Sequence, residues 1–380
     1  MALGEFLYLG VLLVVSSGLA LLFRRMGHST IAGYLIGGVV FHSFVTPSEA
    51  FDFLSYLGVV LLLFFVGLEF SLGRIKGLGR GVFYVGVADF LVNFSLGLVL
   101  GWLFDFNAYE TLLLGGIVYI SSSAVISKIL LESDCMDRKE TKTILGVLIF
   151  EDLVMVVLLA FFTSFSANPV FDLARLTPAF GKAAVFCGFF ILFYNRIRDL
   201  FDWMFLVESD EIFLLSVMGV VFLVSFAAQA MDLSEAIGAF FIGSAMADTK
   251  HQRRIKALLK PVGYFASAIF FLSFGLRVDI LEVGSQTILI VGVMILASMA
   301  GKMMTGYSAR AFKGLNREEA MHVGWTLFPR GEFSIIIASI FVVESHGRHN
   351  LNEIVAIYVL ALMVLSTFLI RRYTRKCARK

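Results

Sequence analysis

An all-α polytopic membrane protein of about 13 transmembrane helices, folded as two inverted repeats, is the fold class this sequence predicts, and three observations predict it. Of the 380 residues, 59% are hydrophobic and only 16% charged, whereas soluble domains carry about a quarter charged. The apolar residues come in long blocks, such as 8–23, 55–70, 142–163 and 211–227, the length that a ~30 Å hydrocarbon core asks of a helix. The ~10-residue alternating segments of an outer-membrane barrel are not seen. Thirdly, short patterns in the first half recur in the same order in the second.

Spans are expected near 4–23, 30–43, 53–72, 81–104, 108–131, 142–163, 177–195, 210–229, 233–247, 260–276, 286–308, 318–344 and 352–370. The first follows Met1-Ala-Leu-Gly-Glu, with neither a basic leader nor a small-residue cleavage site, so it reads as a span and not as a cleavable signal. Basic residues mark one side of the membrane. Arg24 and Arg25 follow span 1, and Arg74, Lys76 and Arg80 follow span 3. Arg138, Lys139 and Lys142 follow span 5, and Arg196 and Arg198 follow span 7. Lys250, Arg253, Arg254 and Lys256 follow span 9; Arg310, Lys313 and Arg317 follow span 11. The tail adds Arg371, Arg372, Arg375, Lys376, Arg379 and Lys380, while the alternate loops hold little beyond Arg175, Lys182 and Arg348, with Arg277 at a boundary. The positive-inside rule then places the N-terminus outside and the C-terminus in the cytoplasm of a cell (inner or plasma) membrane. The basic tail reads as a stop signal that meets anionic lipid headgroups of the bilayer.

Span 2 reads Ile31-Ala-Gly-Tyr-Leu-Ile-Gly-Gly and span 9 reads Ile237-Gly-Ala-Phe-Phe-Ile-Gly-Ser. Gly67-Leu68 at the end of span 3 recurs as Gly275-Leu276 at the end of span 10, and Gly116 as Gly324. Because spans 2 and 9 are an odd number apart, the two halves run in opposite senses through the membrane. Inverted repeats are a mark of alternating-access transporters, which bind substrate near the midplane at broken helices. Two spans look broken. Span 12 carries Phe328-Pro329-Arg330-Gly331-Glu332, where proline removes a donor and glycine permits unwinding. Span 5 carries Ser121-Ser122-Ser123, whose hydroxyls either coordinate a dehydrated cation or back-bond to helix carbonyls.

Six ionisable residues lie inside spans: Asp89, Glu151, Asp152, Lys302, Arg330 and Glu332. Each costs at least ~2.5 kcal/mol at a helix centre, so six are not kept by chance. If all are ionised, four carboxylates face two cations, and a site with that surplus takes up cations or protons and can exchange one for the other. Neighbours on a helix point ~100° apart, so Glu151 and Asp152 need different partners. Lys302 is the candidate partner of Glu151, Asp152 is the expected central cation- and proton-binding carboxylate, and Glu151, Ser122 and Ser123 are expected in the same ion- and proton-binding site. Arg330 and Glu332 are expected to pair across the break in span 12. Asp89 is undecided between a partner for Arg330 or Lys302 and a proton-path residue. No metal triad, HExxH, nucleophile elbow or Walker A sequence is present, and Cys135, Cys187 and Cys377 lack metal or redox spacing. No enzyme chemistry, cofactor or nucleic-acid partner is implied; the cation and proton are cargo.

These residues resemble the cation:proton antiporter-2 family, in particular its Kef-type potassium/proton branch and the related sodium/proton exchangers. The likeness runs over essentially the whole chain. It rests on Gly33-Tyr34-Leu35-Ile36-Gly37, Phe64-Phe65-Val66-Gly67-Leu68-Glu69, Ser121-Ser122-Ser123-Ala124-Val125, Glu151-Asp152 and Pro329-Arg330-Gly331-Glu332-Phe333-Ser334. The resemblance implies the sodium/proton antiporter fold, with spans 5 and 12 crossing at their breaks. It implies a dimerising scaffold over about 1–80 and 210–280, a moving core over about 81–165 and 285–370, and a linker helix at 177–199. By position, Asp152 matches the family's ion-binding aspartate and Lys302 its span-11 lysine; Glu151 stands where many members carry Asp or Gln. The resemblance also implies a homodimer and, for the Kef type, a cytoplasmic nucleotide-binding regulatory domain, here absent, supplied by another polypeptide or removed. Exchange of potassium, or alternatively sodium, for protons is the expected activity. A ligand-gated cation channel or efflux system and a sodium-coupled organic anion symporter of the same general fold are the alternatives.

Overall fold

The structure, a computed structural model, describes residues 2–44, 49–69, 79–123, 138–166, 196–202, 209–231, 235–278, 283–340 and 350–374, with positions 125, 126, 130, 188 and 192. Most of span 7 and of the linker expected at 177–199 lies outside the described residues. So do Arg74, Lys76, Arg175, Lys182, Arg348, all three cysteines and the tail from Arg375.

Every described element is a helix: α1 (Ala2–Arg25), α2 (Thr30–Phe41), α3 (Glu49–Glu69), α4 (Arg80–Leu103), α5 (Ala108–Tyr119), α6 (Lys139–Ser166), α7 (Asp210–Gln229), α8 (Glu235–Ala247), α9 (Gln252–Leu276), α10 (Ser285–Lys313), α11 (Arg317–Thr326), α12 (Glu332–Ile340) and α13 (Leu351–Thr374). Among the described residues, α3, α4, α7, α9 and α10 are long and apolar enough to cross a membrane. Large apolar side chains stand fully outward along them, including Trp102 on α4, Leu215 and Leu223 on α7 and Leu296 on α10. In water such a surface would aggregate; against lipid it is the required solvent face.

The chain divides into two compact units, Met1–Pro47 with Leu78–Met155 and Phe271–Lys380, and Ser48–Gly77 with Val156–Phe270. This is a partition by packing, distinct from the partition by motion that the resemblance implies. In the second unit α8 packs on α3 and α7 around Phe64, Leu68, Phe213, Val217, Ile237 and Ile242. In the first, α4 packs on α5 and α10, and α10 on α11 and α13.

The repeat is visible as repeated contacts. A side chain at Gly33 would run into the backbone of Ala20, and one at Gly238 into the backbone of Ser225. Gly38 on α2 meets Gly275, and Gly243 on α8, one residue out of step with Gly38 in the aligned patterns, meets Gly67. Glycines within one residue of the aligned positions therefore set similar close approaches in each half. The caps repeat too. Asn107 caps α5 and Asn316 caps α11, each accepting from the backbone N–H three residues on, while Glu110 and Glu319 return the bond. These reciprocal caps satisfy donors that a helix start otherwise leaves open. Both capped helices are short, 12 and 10 residues, less than the ~20 residues a ~30 Å hydrocarbon core asks of a helix, and their ends position the site.

Candidate functional site

Helix α5 ends at Tyr119; Ile120 is extended, with φ −73° and ψ 131°. Helix α11 ends at Thr326, and the chain through Phe328–Gly331 is non-helical until α12 begins at Glu332. The two breaks bond to each other: Ser122 N–H donates to the Pro329 carbonyl at 2.8 Å, and Ser334 Oγ donates to the Ile117 carbonyl at 3.2 Å. A Cβ at Gly331 would collide with the Ser122 side chain, so the crossing needs glycine there for space.

A helix end leaves carbonyls unsatisfied and carries partial negative charge. Fully buried Arg330 serves two such ends at once. Its Nη1 donates to Leu327 and Phe328 carbonyls at 3.1 and 3.0 Å, and its Nη2 to the Val118 carbonyl at 2.7 Å. The sequence suggested an Arg330–Glu332 pair across the break. Among the described residues, the guanidinium's hydrogen bonds instead run to these three carbonyls, because two helix C-termini converge on it. Glu332 accepts from Ser122 Oγ at 3.3 Å.

Beside the crossing lies a buried ion cluster. Lys302 Nζ donates to Asp89 Oδ1 and Oδ2 at 2.9 and 3.1 Å and to Glu151 Oε1 at 2.9 Å. Lys302, Asp89 and Glu151 are all fully buried. Lys302 thus takes both partners, and the choice left open for Asp89 resolves onto Lys302. Asp89 also accepts from Thr305 Oγ1 at 2.6 Å and Asn93 Nδ2 at 2.9 Å. Glu151 is tied to the break in α5: Ser121 N–H donates to its Oε2 at 2.6 Å and Ser121 Oγ lies 3.0 Å from its Oε1. The same Oγ lies 2.8 Å from the Leu327 carbonyl at the end of α11. Tyr119 flanks the cluster, its ring centroid 5.4 Å from Lys302 Nζ. One turn along α10, Ser298 Oγ and the Tyr358 hydroxyl are 2.5 Å apart, fixing α10 on α13.

Asp152, next to Glu151, is half-buried, as is Ser123, while Ser122 is buried. The structure therefore gathers Asp89, Glu151, Lys302, Ser122, Arg330 and Glu332 around one helix crossing. Three carboxylates, Asp89, Glu151 and Asp152, stand on α4 and α6 with one lysine among them. Asn93, Thr305 and Tyr119 were not among the residues expected; Asn93 and Thr305 lie four and three residues beyond Asp89 and Lys302, one helical turn away on the same faces.

Crossed helix breaks beside a buried acidic cluster, on an inverted repeat, define a multi-pass membrane transporter of the cation/proton antiporter class. Comparison with known proteins agrees. The sequence model of the sodium/hydrogen exchanger family, transmembrane, matches residues 11–376, and the chain belongs to that family. The K(+)/H(+) antiporter subunit KhtU of Bacillus subtilis (strain 168) is 31% identical over 91% of this chain and 86% of its own. The ammonium/H(+) antiporter subunit AmhT of Alkalihalophilus pseudofirmus is 28% identical over 81% of this chain and 79% of its own. The structure of the sodium proton antiporter MjNhaP1 from Methanocaldococcus jannaschii at pH 8 shares the fold, with a TM-score of 0.71 at 16% identity, covering 100% of this chain and 99% of that one. The protein is a transporter and not an enzyme.

Proposed function

We propose that this chain exchanges potassium for protons by alternating access, with Asp152 as the carboxylate that binds each in turn. The observation that carries the ion choice is the 31% identity, over most of both chains, to a relative named for potassium/proton antiport. The carboxylate choice rests on the site. Lys302 directs its bonds to Asp89 and Glu151, so the half-buried neighbour Asp152 is the carboxylate of the acidic pair to which the lysine is not committed. A dehydrated monovalent cation needs oxygen ligands as well as charge, and in this reading the hydroxyls of Ser122 and Ser123 at the interruption in span 5 supply them. Asp89, Arg330, Glu332 and Lys302 compensate charge and hold the crossing together.

In this reading the helices of 81–165 and 285–370 move against a scaffold of 1–80 and 210–280, through which two copies pair. The basic loops put the C-terminus in the cytoplasm. Two relatives are named as antiporter subunits, which supports a separate cytoplasmic regulatory polypeptide as partner. Proteoliposomes loaded with a pH dye test the activity, with potassium, sodium, rubidium and lithium offered in turn. Potassium is expected to drive proton movement at the lowest concentration, against an opposing proton gradient. Preference for sodium would overturn the ion choice, and only downhill cation flow would overturn antiport.

A further inference from the structure

Residues 196–202 are the described end of span 7, which lies between the two repeats, and they are built into the second unit. Phe201 is buried in the core that α3, α7, α8 and α9 share, and Ile197, one turn back, packs against the same core. Arg198 pairs with its neighbour Asp199 at 2.8 Å. Half-buried Asp202 reaches elsewhere. Its Oδ1 accepts from the Lys250 backbone N–H at 2.9 Å, and its own carbonyl lies 3.4 Å from His251 Nε2. Lys250 and His251 directly precede α9, whose open N–H groups and positive dipole end favour a carboxylate.

The turn that receives Asp202 is a junction. Between Ala247, the end of α8, and Gln252, the start of α9, Thr249 Oγ1 donates to the Met246 carbonyl at 2.8 Å and closes the end of α8. Gln252 Nε2 donates to the Leu68 carbonyl at 2.9 Å, in the last turn of α3. Arg254 Nε and Nη2 reach Asp210 Oδ1 at 2.8 and 2.7 Å, at the start of α7, and its guanidinium stands 4.2 Å from the Phe213 ring centroid. Residues 249–254 therefore hold the ends of α8, α3, α7 and span 7. The other half has one of these ties. His42, just after α2, has its Nδ1 2.6 Å from the Leu276 carbonyl in the last turn of α9, as Gln252 after α8 meets Leu68. Each half thus closes one helix end with a side chain that follows its glycine-rich helix, and the bond to span 7 is added to that shared design. A turn bonded to three other helix ends shifts only by breaking several bonds at once, so it is a rigid point of the second unit.

We propose that Asp202 is a positioning residue that anchors the end of span 7 to the α8–α9 turn. This end then stays with the scaffold throughout the cycle, and the core's movement is taken up before Arg196. The proposal rests on the alternating-access reading above. Asp202 touches neither cation nor proton. It gives the linker a fixed point, and without that point turnover slows while binding is unchanged.

Potassium-driven proton movement in dye-loaded proteoliposomes, expressed per amount of folded protein, tests the proposal. Asp202→Ala is expected to lower the maximal rate about fivefold, the scale of one hydrogen bond, with the half-maximal potassium concentration unchanged. Asp202→Asn, which keeps an acceptor oxygen, should restore most of the rate. A wild-type rate per folded protein in Asp202→Ala, the result of a contact that only stabilises the fold, overturns the proposal, and so does a shifted half-maximal concentration. Should Asp202→Ala fail to fold, a cross-link decides. Asp202→Cys is combined with Lys250→Cys in a protein whose three native cysteines are serine. A disulfide requires Cα atoms within about 7 Å, so it forms only if the two segments meet as they do here. Reduced, this protein should exchange slowly; oxidised, it should regain the rate of the serine background. A disulfide that does not form, or one that blocks exchange, overturns the proposal, because the end of span 7 then is not at the turn or has to leave it. Absence of potassium-driven proton movement in wild type would instead remove the potassium-exchange reading itself.

Discussion

Replacing Lys302 by alanine removes the one positive charge between two fully buried carboxylates. Three hydrogen bonds vanish, at 2.9, 3.1 and 2.9 Å, and Asp89 and Glu151 are left to repel each other in low dielectric. Breaking a buried pair in this way costs about 3–5 kcal/mol, on the order of 10 °C in the unfolding midpoint. Glu151→Gln is the informative contrast. The amide oxygen can still accept from Lys302, Asp89 still neutralises the lysine, and the lost carboxylate relieves a like-charge contact. That variant should stay within about 1 kcal/mol of wild type, the scale of one hydrogen bond. Purified protein in detergent, heated while its tryptophan fluorescence is followed, ranks the three. The expected order is wild type and Glu151→Gln together, with Lys302→Ala well below. Coincident midpoints for all three would refute the cluster as drawn.

Arg330→Lys keeps the charge but offers a point donor where a planar fork reaches carbonyls on two helix ends; a loss of about 1–3 kcal/mol is expected in the same melts, and an unchanged midpoint would show that the carbonyls need no guanidinium. Gly331→Ala forces a methyl onto Ser122 and should cost about 1–3 kcal/mol and slow exchange, whereas Gly284→Ala, where a Cβ meets nothing within 4 Å, should leave both unchanged. Equal behaviour of the two glycine variants would contradict the tight crossing. Asn107→Ala and Asn316→Ala each remove one member of the matched caps and should each cost about 0.5–2 kcal/mol, read by unfolding in detergent; a cost at only one of them would mean the two halves do not use their caps alike.

Much of this was legible in the sequence because membrane helices obey blunt rules. Length and apolarity announce them, and a buried charge has to be explained. The glycines of spans 2, 3, 9 and 10 were readable as a repeat because close backbone approach admits no other side chain, and the structure shows a Gly38–Gly275 contact and a Gly243–Gly67 contact, with the span 2 and span 9 glycines one residue out of the register read in the sequence. Asp89 was different. Its partner lies 213 residues away on another helix, and periodicity within α4 says nothing about whether it meets Lys302 on α10 or Arg330 at the break between α11 and α12. Arg330 misled for a related reason. Its nearest acid in sequence is Glu332, but the strongest claim on a guanidinium at a helix break comes from carbonyls, which every residue has and no sequence pattern marks. The paired caps at Asn107 and Asn316 were visible in principle, since the Asn-x-x-Glu pattern occurs at matching places in both halves.

The central claim is that proton and cation compete at Asp152, and the most direct test is the potassium concentration for half-maximal exchange, measured in proteoliposomes from pH 6 to 9. One competing proton raises that concentration about tenfold per unit fall in pH below the competing group's titration, by linkage. Asp152→Asn, which cannot alternate between proton and cation, should fold and exchange nothing. A half-maximal concentration independent of pH over the whole range, or proton movement driven by potassium in the Asp152→Asn protein, would contradict the account.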